Sequence, residues 1–375
     1  MSGAPRVALV HDWLTGMRGG ERCLEVFCEL FPDADLFTLL HVPGSVSPVI
    51  ERRRIVTSFL QRLPRAAERY RYYLPLFPAA MRGFDFSAYD LVLSSSHAVA
   101  KAARRRRGAT HVCYCFTPMR YVWDRYDDYF GARAPLALRL AMPPIAAALR
   151  RWDRRTSARV DRFVAISRFV AGRIRRVWDR EADVIHPPVD AARFTLAEPA
   201  RRDYYLVVGA LVPYKRIDLA VAAATRMRRR LLVVGSGPDA RQLAATAGPT
   251  VEFLGWRSDT EIAGLYARCR ALLFPPLEDF GIVPLEAMAA GRPVVAYGVG
   301  GATETVVGLD TPGDAPPTGV FFAEQRVDAL MEAMATLERN EHRFEAKALR
   351  THAEKFDRPM FRDRVTKYLA EAAGC

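Results

Sequence analysis

The chain has 375 residues, half of them hydrophobic, which is enough to bury two cores of about 150–200 residues each. Its formal net charge of +13 lies in the first half, because residues 1–190 hold 31 Lys and Arg against 19 Asp and Glu, and the rest holds 24 against 23. No run of about 18 uncharged apolar residues and no signal-peptide pattern occurs, so we expect no membrane-spanning helix.

Short apolar strands alternate with helical segments along the first half. A glycine-rich turn, Gly16 to Gly20, leads into a helix from Glu21 to Leu30, and a long helical stretch, Leu136 to Val160, is expected to kink or break at Pro143-Pro144. Buried strands separated by helices are typical of a doubly wound parallel sheet. The other elements predicted here are Val7–Val10, Leu91–Ser94, His111–Tyr114, Phe163–Ile166 and the helix Phe169–Trp178.

A second set of strands and helices follows Pro187-Pro188 and a predicted linker, Asp190 to Asp203. The pattern therefore predicts two Rossmann-like domains, over residues 1–189 and 190–357, with a cleft between them, and a last helix over 358–375 that could pack back on the first domain. The predicted elements are Tyr204–Val208, Leu231–Val234, Val251–Leu254, Ala271–Phe274, Val294–Tyr297, Gly319–Phe322, Val327–Arg339, Phe344–Lys355 and Arg358–Ala373.

Two acids seven residues apart, Glu278 and Glu286, are the most informative feature of the chain. The first is predicted in the loop after a strand, and the second in the opening turns of a helix, where Pro284 suits the first turn. Backbone N–H groups at this helix start would favour an anion. They belong to Phe280, Gly281 and Ile282. Two carboxylates around such a site suit a ligand with both hydroxyls and phosphates, such as a nucleotide-sugar.

The composition offers few other chemical groups. The six cysteines have no zinc-binding spacing, so we expect reduced thiols: Cys23, Cys28, Cys113, Cys115, Cys269 and Cys375. No motif calls for a metal or another cofactor. The pair Gly19-Gly20 follows the first strand, where a glycine backbone can approach a phosphate or sugar closely.

These segments together resemble the retaining family-4 glycosyltransferases of GT-B fold. Parts of the first half resemble a narrower branch, the bacterial mannosyltransferases that build O-antigen and exopolysaccharide units on a lipid carrier. The family resemblance rests on Leu272–Glu286, Gly291–Ala296, Leu206–Asp218 and Val184–Asp190, and the branch resemblance on Val10–Trp13, Gly19–Arg22, Ser94–His97 and Cys113–Tyr121.

The resemblance implies roles for the donor-side residues. Glu286 would accept hydrogen bonds from the ribose hydroxyls, and Glu278 from the sugar. Lys215, one of five lysines among 55 basic residues, would stabilise the leaving diphosphate. The family commonly has an Arg at the position of Ala210, so either Arg216 would supply the second diphosphate contact or that contact would be missing. The glycine turn of Gly300–Glu304 would lie on the donor side.

The catalytic histidine departs from the family pattern, because Phe116 stands where many members have His. His97 and His11 both follow strands of the first domain, and His97 is the better candidate. If neither histidine contacts substrate, the leaving phosphate oxygen would accept the proton of the attacking hydroxyl.

Basic and aromatic residues cluster in three runs of the first half: 52–84, 104–107 and 150–155. Such residues suit an anionic membrane surface and a lipid diphosphate. Nucleic acid uses the same residue types, but no nucleic-acid-binding signature accompanies them, so no nucleic-acid partner is expected. A solvated surface is the alternative.

The sequence therefore predicts a retaining hexosyltransferase, cytoplasmic and peripherally attached to the inner face of the membrane. Its donor would be GDP-mannose and its acceptor a polyprenyl-diphosphate-linked saccharide. The alternatives are another donor (a UDP- or dTDP-hexose), a nucleotide-sugar epimerase or phosphorylase of similar architecture, and a catalytically degenerate scaffold that binds a nucleotide-sugar.

Overall fold

The computed structural model describes residues 5–132, 134–196 and 203–373, which form two compact α/β units. The first unit comprises the residues up to Pro187 and those from Phe361 onward, and the second comprises Pro188–Met360. Across the three described ranges, no helix combines the length and the apolar character needed to cross a bilayer. Cys375 lies outside these ranges; the other five cysteines are buried and form no disulfide within them.

The first unit contains a seven-stranded, wholly parallel sheet in the order β3-β2-β1-β4-β5-β6-β7. Its strands are β1 Val7–His11, β2 Asp35–Thr38, β3 Ile55–Thr57, β4 Leu91–Ser96, β5 Thr110–Cys115, β6 Arg162–Ala165 and β7 Asp183–Val184. The central strands β1 and β4 are buried along their whole length, as expected of strands covered on both faces. Strands β2, β3 and β7 were not predicted from the sequence; they are short and lie at or near the sheet edges.

The helices of the first unit are α1 Gly19–Leu30, α2 Pro48–Glu51, α3 Ala66–Arg69, α4 Phe77–Arg82, α5 Tyr126–Phe130, α6 Leu136–Ser157 and α7 Arg168–Trp178. Of the kink or break expected in α6, the break does not occur, because the helix continues through Pro143 and Pro144. Both prolines lie on a largely exposed stretch of the helix. Water can therefore reach the carbonyls that lose their intrahelical partners.

The second unit contains a six-stranded parallel sheet in the order β10-β9-β8-β11-β12-β13. Its strands are β8 Tyr205–Val208, β9 Leu231–Val234, β10 Val251–Gly255, β11 Ala271–Phe274, β12 Val294–Tyr297 and β13 Gly319–Phe322. All six were predicted, and their ends agree to within one residue. The two parallel sheets confirm the predicted fold class.

The remaining helices are α8 Ile217–Met227, α9 Ala240–Thr246, α10 Asp259–Arg268, α11 Ile282–Ala289, α12 Ala302–Thr305, α13 Val327–Arg339, α14 Ala346–Glu354 and α15 Arg358–Ala373. The segment expected as a linker is partly built into the second unit. Ala191 and Phe194 are buried there, and the Phe194 ring lies 5.7 Å from that of Tyr266. Residues 197–202 of the predicted linker lie outside the described ranges.

Helix α15 supplies part of the core of the first unit. Phe361 is buried against Phe27 and Tyr114, with ring centroids 5.9 and 5.6 Å away. Farther along, the Tyr368 hydroxyl donates to Asp183 Oδ2 at 2.7 Å. This helix therefore packs across the first sheet although it follows the second unit in sequence.

Each sheet has one point where the strand order reverses. In the first sheet it lies between β1 and β4, and in the second between β8 and β11. Loops that leave the carboxyl ends of such strand pairs diverge and create a crevice, which is where ligands bind in sheets of this type. Both groups of predicted site residues follow these strands.

Candidate functional site

The loop after β11 presents Glu278 at the switch point of the second sheet. Lys215 approaches it from the turn after β8, and its Nζ lies 2.5 Å from Glu278 Oε1. The two side chains keep 23% and 17% of their surface exposed. The pair is therefore accessible to a ligand, yet shielded enough that the charges interact more strongly than on an open surface.

The start of α11 depends on a glycine. Gly281 precedes the helix at φ 89°, a left-handed conformation that residues with a side chain adopt at a cost. Phe280, just before it, is buried and packs against the Phe356 ring at 6.1 Å. Pro284 lies in the first turn of α11, as predicted. The helix start is consequently held in place by packing on one side and by the glycine turn on the other.

Glu286 lies on α11 and is oriented by a buried tyrosine. The Tyr266 hydroxyl donates to Glu286 Oε2 at 3.1 Å, and Tyr266 is fully buried. Burial, reinforced by the charge of Glu286, raises the pKa of Tyr266 well above its ordinary value, so the hydroxyl keeps its proton and remains a donor. The half-buried Glu286 is thereby held in one orientation.

The Gly300-Gly301 turn packs directly on the Glu278 loop. Gly301 N–H donates to the Glu278 carbonyl at 2.8 Å, and Glu278 and Gly300 form an isolated parallel bridge. A Cβ on Gly301 would lie 2.3 Å from the Phe280 Cα. Only glycine permits this approach, so the turn supports the Glu278 backbone.

Arg216 makes a different contact from Lys215. Its guanidinium donates through Nε and Nη2 to the two carboxylate oxygens of Asp218, both at 3.1 Å. The second unit thus brings together Lys215, Glu278 and the helix α11, which carries Glu286. Arg216, next to Lys215 in the sequence, is paired with the exposed Asp218.

In the first unit, the predicted residue His97 follows β4 and contacts a carboxylate that the sequence analysis left without a role. Its backbone N–H donates to Asp12 Oδ2 at 2.6 Å, and its Nδ1 lies 3.2 Å from the same oxygen. Asp12 follows β1 and is fully buried. The clue in the sequence was an acid placed directly after an apolar strand.

Gly20 lies in the first turn of α1, beside Gly19, against a cluster of rings. A Cβ on Gly20 would approach Phe116 to 3.3 Å and His11 to 3.6 Å. The rings of His11, His97 and Phe116 lie 6.2 to 6.3 Å from one another. The helix begins two residues earlier than predicted, so the glycine pair belongs to α1 rather than to the preceding turn.

Glu21 completes this cluster. Its Oε2 accepts a hydrogen bond from the Arg18 N–H at 3.0 Å, and its Oε1 lies 3.8 Å from His11 Nε2. Burial raises the pKa of Glu21, but the neighbouring His11 lowers it by more, and a backbone N–H and His97 lower it slightly further. The net effect is a lowered pKa. The acid is therefore ionised in the folded protein at neutral pH.

All three basic runs include arginines engaged in internal contacts. Arg105 pairs with Asp161, with 2.5 and 2.6 Å between donors and carboxylate oxygens, and Arg106 pairs with Asp90. Arg154 Nε donates to the Val177 carbonyl. In the run from 52 to 84, Arg54 pairs with Asp35, and many of the other arginines are exposed together with Tyr72, which is 78% exposed.

Within the part of the chain that the structure describes, no group of three or more His, Cys, Asp or Glu side chains is arranged to hold an ion.

Comparison with known proteins gives the family. Residues 17–193 match the family model described as Glycosyltransferase Family 4, and residues 189–356 match Glycosyl transferases group 1. A D-inositol 3-phosphate glycosyltransferase of Mycolicibacterium paratuberculosis is 33% identical over 178 residues, a match covering 41% of this chain and 38% of that protein. The chain thus spans about two fifths of the length of the curated relatives it matches.

Solved structures show the same fold over almost the whole chain. Sucrose-phosphate synthase from Thermosynechococcus elongatus superposes with a TM-score of 0.72 at 18% identity, covering 98% of both chains. The Anabaena protein HepE in complex with UDP-glucose gives 0.69 at 18% identity, covering 97% of this chain and 99% of that one. The chain belongs to the family-4 glycosyltransferases of GT-B fold.

Proposed function

We propose that this protein is a retaining hexosyltransferase that uses a nucleotide-sugar donor. The observation that carries the proposal is the contact between Lys215 and Glu278 at the switch point of the second sheet, beside the start of α11. A cation, a carboxylate and a helix N-terminus match the diphosphate and the hydroxyls of such a donor. The complexes of HepE with UDP and UDP-glucose support the same ligand class.

In this proposal the ligand takes over the contact that Lys215 makes with Glu278. The diphosphate would attract the ammonium of Lys215, and Glu278 would then accept hydrogen bonds from sugar hydroxyls. Phe280, Gly281 and Ile282 would direct N–H groups at the phosphates. As the bond between the anomeric carbon and the phosphate oxygen breaks, Lys215 would stabilise the developing charge. In this proposal Lys215 and these N–H groups would balance the diphosphate charge in place of a metal ion.

Glu286 would bind the ribose. Its carboxylate is oriented by the Tyr266 hydroxyl and has further acceptor capacity for a diol. Glu286→Gln should weaken donor binding about tenfold or more, since one charged acceptor is replaced by a neutral one. Tyr266→Phe removes only the orienting bond and should weaken donor binding less. Isothermal titration calorimetry with the donor measures both.

For the donor we propose GDP-mannose, on the resemblance of the first half to bacterial mannosyltransferases. Thermal stabilisation by GDP-, UDP- and dTDP-sugars, each at the same concentration, tests it. Stabilisation by GDP-mannose above the others supports the proposal. Stabilisation by UDP-sugars alone excludes it and favours the donor class of HepE.

For the acceptor we propose a polyprenyl-diphosphate-linked saccharide at an anionic membrane surface, in the cytoplasm. Exposed Phe59 and Tyr72 among the arginines of residues 52–84 support it, as do Leu136 and Leu140, exposed by 66% and 71% one turn apart on α6. Co-sedimentation with vesicles containing anionic lipid should fall for Leu140→Ser and Tyr72→Ser. Equal binding to neutral vesicles would contradict the charge argument.

The names of the curated relatives suggest a second acceptor, a soluble inositol phosphate. Transfer assays with D-inositol 3-phosphate and with a lipid-linked saccharide separate the two. A protein that binds a nucleotide-sugar but transfers to neither, and does not hydrolyse the donor, would support the scaffold alternative that Phe116 and Ala210 raise.

A further inference from the structure

Two imidazole–carboxylate couples lie side by side in the first unit. His97 Nδ1 is 3.2 Å from Asp12 Oδ2, and His11 Nε2 is 3.8 Å from Glu21 Oε1. The two imidazole rings are 6.2 Å apart. His11 is fully buried, whereas the side chain of His97 keeps 25% of its surface exposed. Only the couple of His97 and Asp12 can therefore meet a substrate directly.

Asp12 fixes the backbone that carries His97. Its two oxygens accept four backbone N–H hydrogen bonds at 2.6 to 2.9 Å, although Asp12 is fully buried. The donors are His97, Ala98, Val99 and Ala100. Every one of these groups is a donor, so both oxygens act only as acceptors, and charge-assisted bonds of this kind are strong.

The loop is also anchored just after these residues. Lys101 is fully buried, lies 3.1 Å from Asp153 Oδ1 and donates to the Thr156 hydroxyl at 2.9 Å. A buried charge pair is costly to break because each charge would remain without its partner. Anchored by Asp12 and Lys101, the segment from His97 to Lys101 holds the imidazole in a single place.

The geometry also favours one tautomer of His97. A lone pair on Nδ1 would face the carboxylate oxygen 3.2 Å away, so a proton on Nδ1 is favoured and the lone pair is left on Nε2. Trp13 restrains the ring further, with a ring centroid 4.3 Å away in an edge-on arrangement. An imidazole prepared in this way is a hydrogen-bond acceptor for a substrate hydroxyl.

We propose that Asp12 is the positioning residue for His97, and that His97 Nε2 accepts the proton of the acceptor hydroxyl during sugar transfer. The proposal rests on the transferase function proposed above. The acceptor oxygen loses its proton to Nε2 and bonds to the anomeric carbon, while the nucleoside diphosphate leaves with the electron pair of the broken bond. His97 then releases the proton to solvent.

The charges around His97 are consistent with a base. Burial is the largest influence on the pKa of His97 and lowers it. The charges of Asp12 and Glu21 raise this pKa, whereas those of His11 and Arg120 lower it, and the net effect is a lowered pKa. The imidazole is therefore neutral at neutral pH and able to take a proton. Without the Asp12 charge, its pKa would fall further.

The tautomer can be measured without any substrate. In the full-length protein labelled with 15N-histidine, two-bond 1H–15N correlations identify which ring nitrogen carries the proton, and His97→Gln assigns the signal. We expect His97 to show a protonated Nδ1 and an unprotonated Nε2 at pH 7.5, the tautomer that free histidine favours less. A protonated Nε2 would overturn the proposal.

Steady-state kinetics test the roles of His97 and Asp12 during sugar transfer. His97→Gln should lower kcat by about 10²–10⁴-fold with little change in donor KM, and should abolish the acidic limb of the pH profile. Asp12→Asn should lower kcat and move that limb to lower pH, because the charge that raises the His97 pKa is gone. Unchanged kcat in His97→Gln, or an unshifted limb in Asp12→Asn, would contradict the proposal.

Exposed residues supply matched controls, and failure of the transferase function can be told apart from failure of the proposed role of Asp12. His342→Gln and Asp363→Asn make the same chemical changes at exposed positions and should leave both parameters within twofold. If Asp12→Asn does not fold, the tautomer measured in the wild-type protein still decides the role of Asp12. If the wild-type protein transfers no sugar, the transferase function fails, while the tautomer result on Asp12 and His97 remains.

Discussion

The two switch points hold charged groups in opposite ways. In the first unit Asp12 is fully buried and saturated by four backbone N–H groups, and Lys101 is fully buried against Asp153. In the second unit Lys215 and Glu278 are partly exposed and contact each other. In the first unit, the charges of Asp12 and Lys101 hold in place the loop that carries His97. In the second unit, Lys215 and Glu278 can release each other and bind a ligand instead. Stability and activity should therefore separate between them.

The largest effect on stability should come from Asp12→Asn. The new amide would direct its NH2 group at two of the four backbone N–H donors and leave these two without an acceptor, at a cost of about 3 kcal/mol or more. Hydrogen–deuterium exchange should show faster exchange of residues 97–100, and the urea midpoint should fall. Glu278→Gln is the matched variant in the other unit and should change stability by less than about 1 kcal/mol. Equal losses in both variants would remove the contrast.

The largest effect on activity should come from Lys215→Ala and Glu278→Gln. Removing a group that stabilises the transition-state charge costs about 10²–10³-fold in kcat. Steady-state transfer assays measure it, with a thermal melt as the check that folding is intact. Lys347→Ala, at an exposed position on α14, is the control and should retain full activity. Full activity in Lys215→Ala would show that the pair has no part in the reaction.

The first unit should also be sensitive to acid through His111. This buried ring is 2.8 Å from Ser94 Oγ and 3.2 Å from the Arg159 carbonyl, and burial lowers its pKa from 6.5 to about 4. Above pH 6.5 the ring is neutral in both states. Between pH 6.5 and 4 only the unfolded chain binds the proton, so the free energy of unfolding should fall by about 3 kcal/mol.

Urea unfolding at pH 7.5, 5.5 and 4 measures this loss. His111→Gln is expected to be less stable at pH 7.5 because it disturbs two buried hydrogen bonds, yet to show a smaller decline with acid. Parallel declines in the two proteins would mean that another group is responsible.

The smallest effects should appear at Arg216 and Asp218. The exposed pair contributes at most about 0.5 kcal/mol, so Asp218→Ala should leave stability nearly unchanged. If Arg216 contacts the diphosphate, Arg216→Ala should raise the donor KM several-fold. Asp218→Ala only releases the guanidinium from its carboxylate partner and should not raise the donor KM. Identical donor KM values in both variants and in the wild type would leave Lys215 as the proposed diphosphate contact.

The sequence predicted the second sheet more completely than the first for a physical reason. Runs such as Leu231–Val234 and Val294–Tyr297 are uniformly apolar, so their burial is visible in the sequence. Strands β2 and β3 are short and lie toward the sheet edge, where the apolar pattern is weak. A break in α6 was one of the two outcomes predicted, and it does not occur. Propensity rules do not include the access of solvent to the freed carbonyls.

The same reasoning explains which site residues were identified. Glu278 and Lys215 were recognised because they lie in motifs with distinct spacing, and the structure brings them into contact. Asp12 was missed as a functional candidate because its role depends on the N–H groups of residues 97–100, which lie 85 or more positions away in the sequence. Pairings at that separation become visible only once β1 and β4 are known to be neighbours.

The packing of α15 has a consequence for how the protein is made. Phe361 and Leu369 complete a core that includes Phe27 and Tyr114, yet the ribosome reaches them only after synthesising the whole second unit. During translation, the first unit therefore keeps one apolar surface exposed until α15 is synthesised, by which time the second unit is complete and can fold. Chains released early would expose this surface, so premature termination in α15 should direct the protein toward aggregation or chaperones.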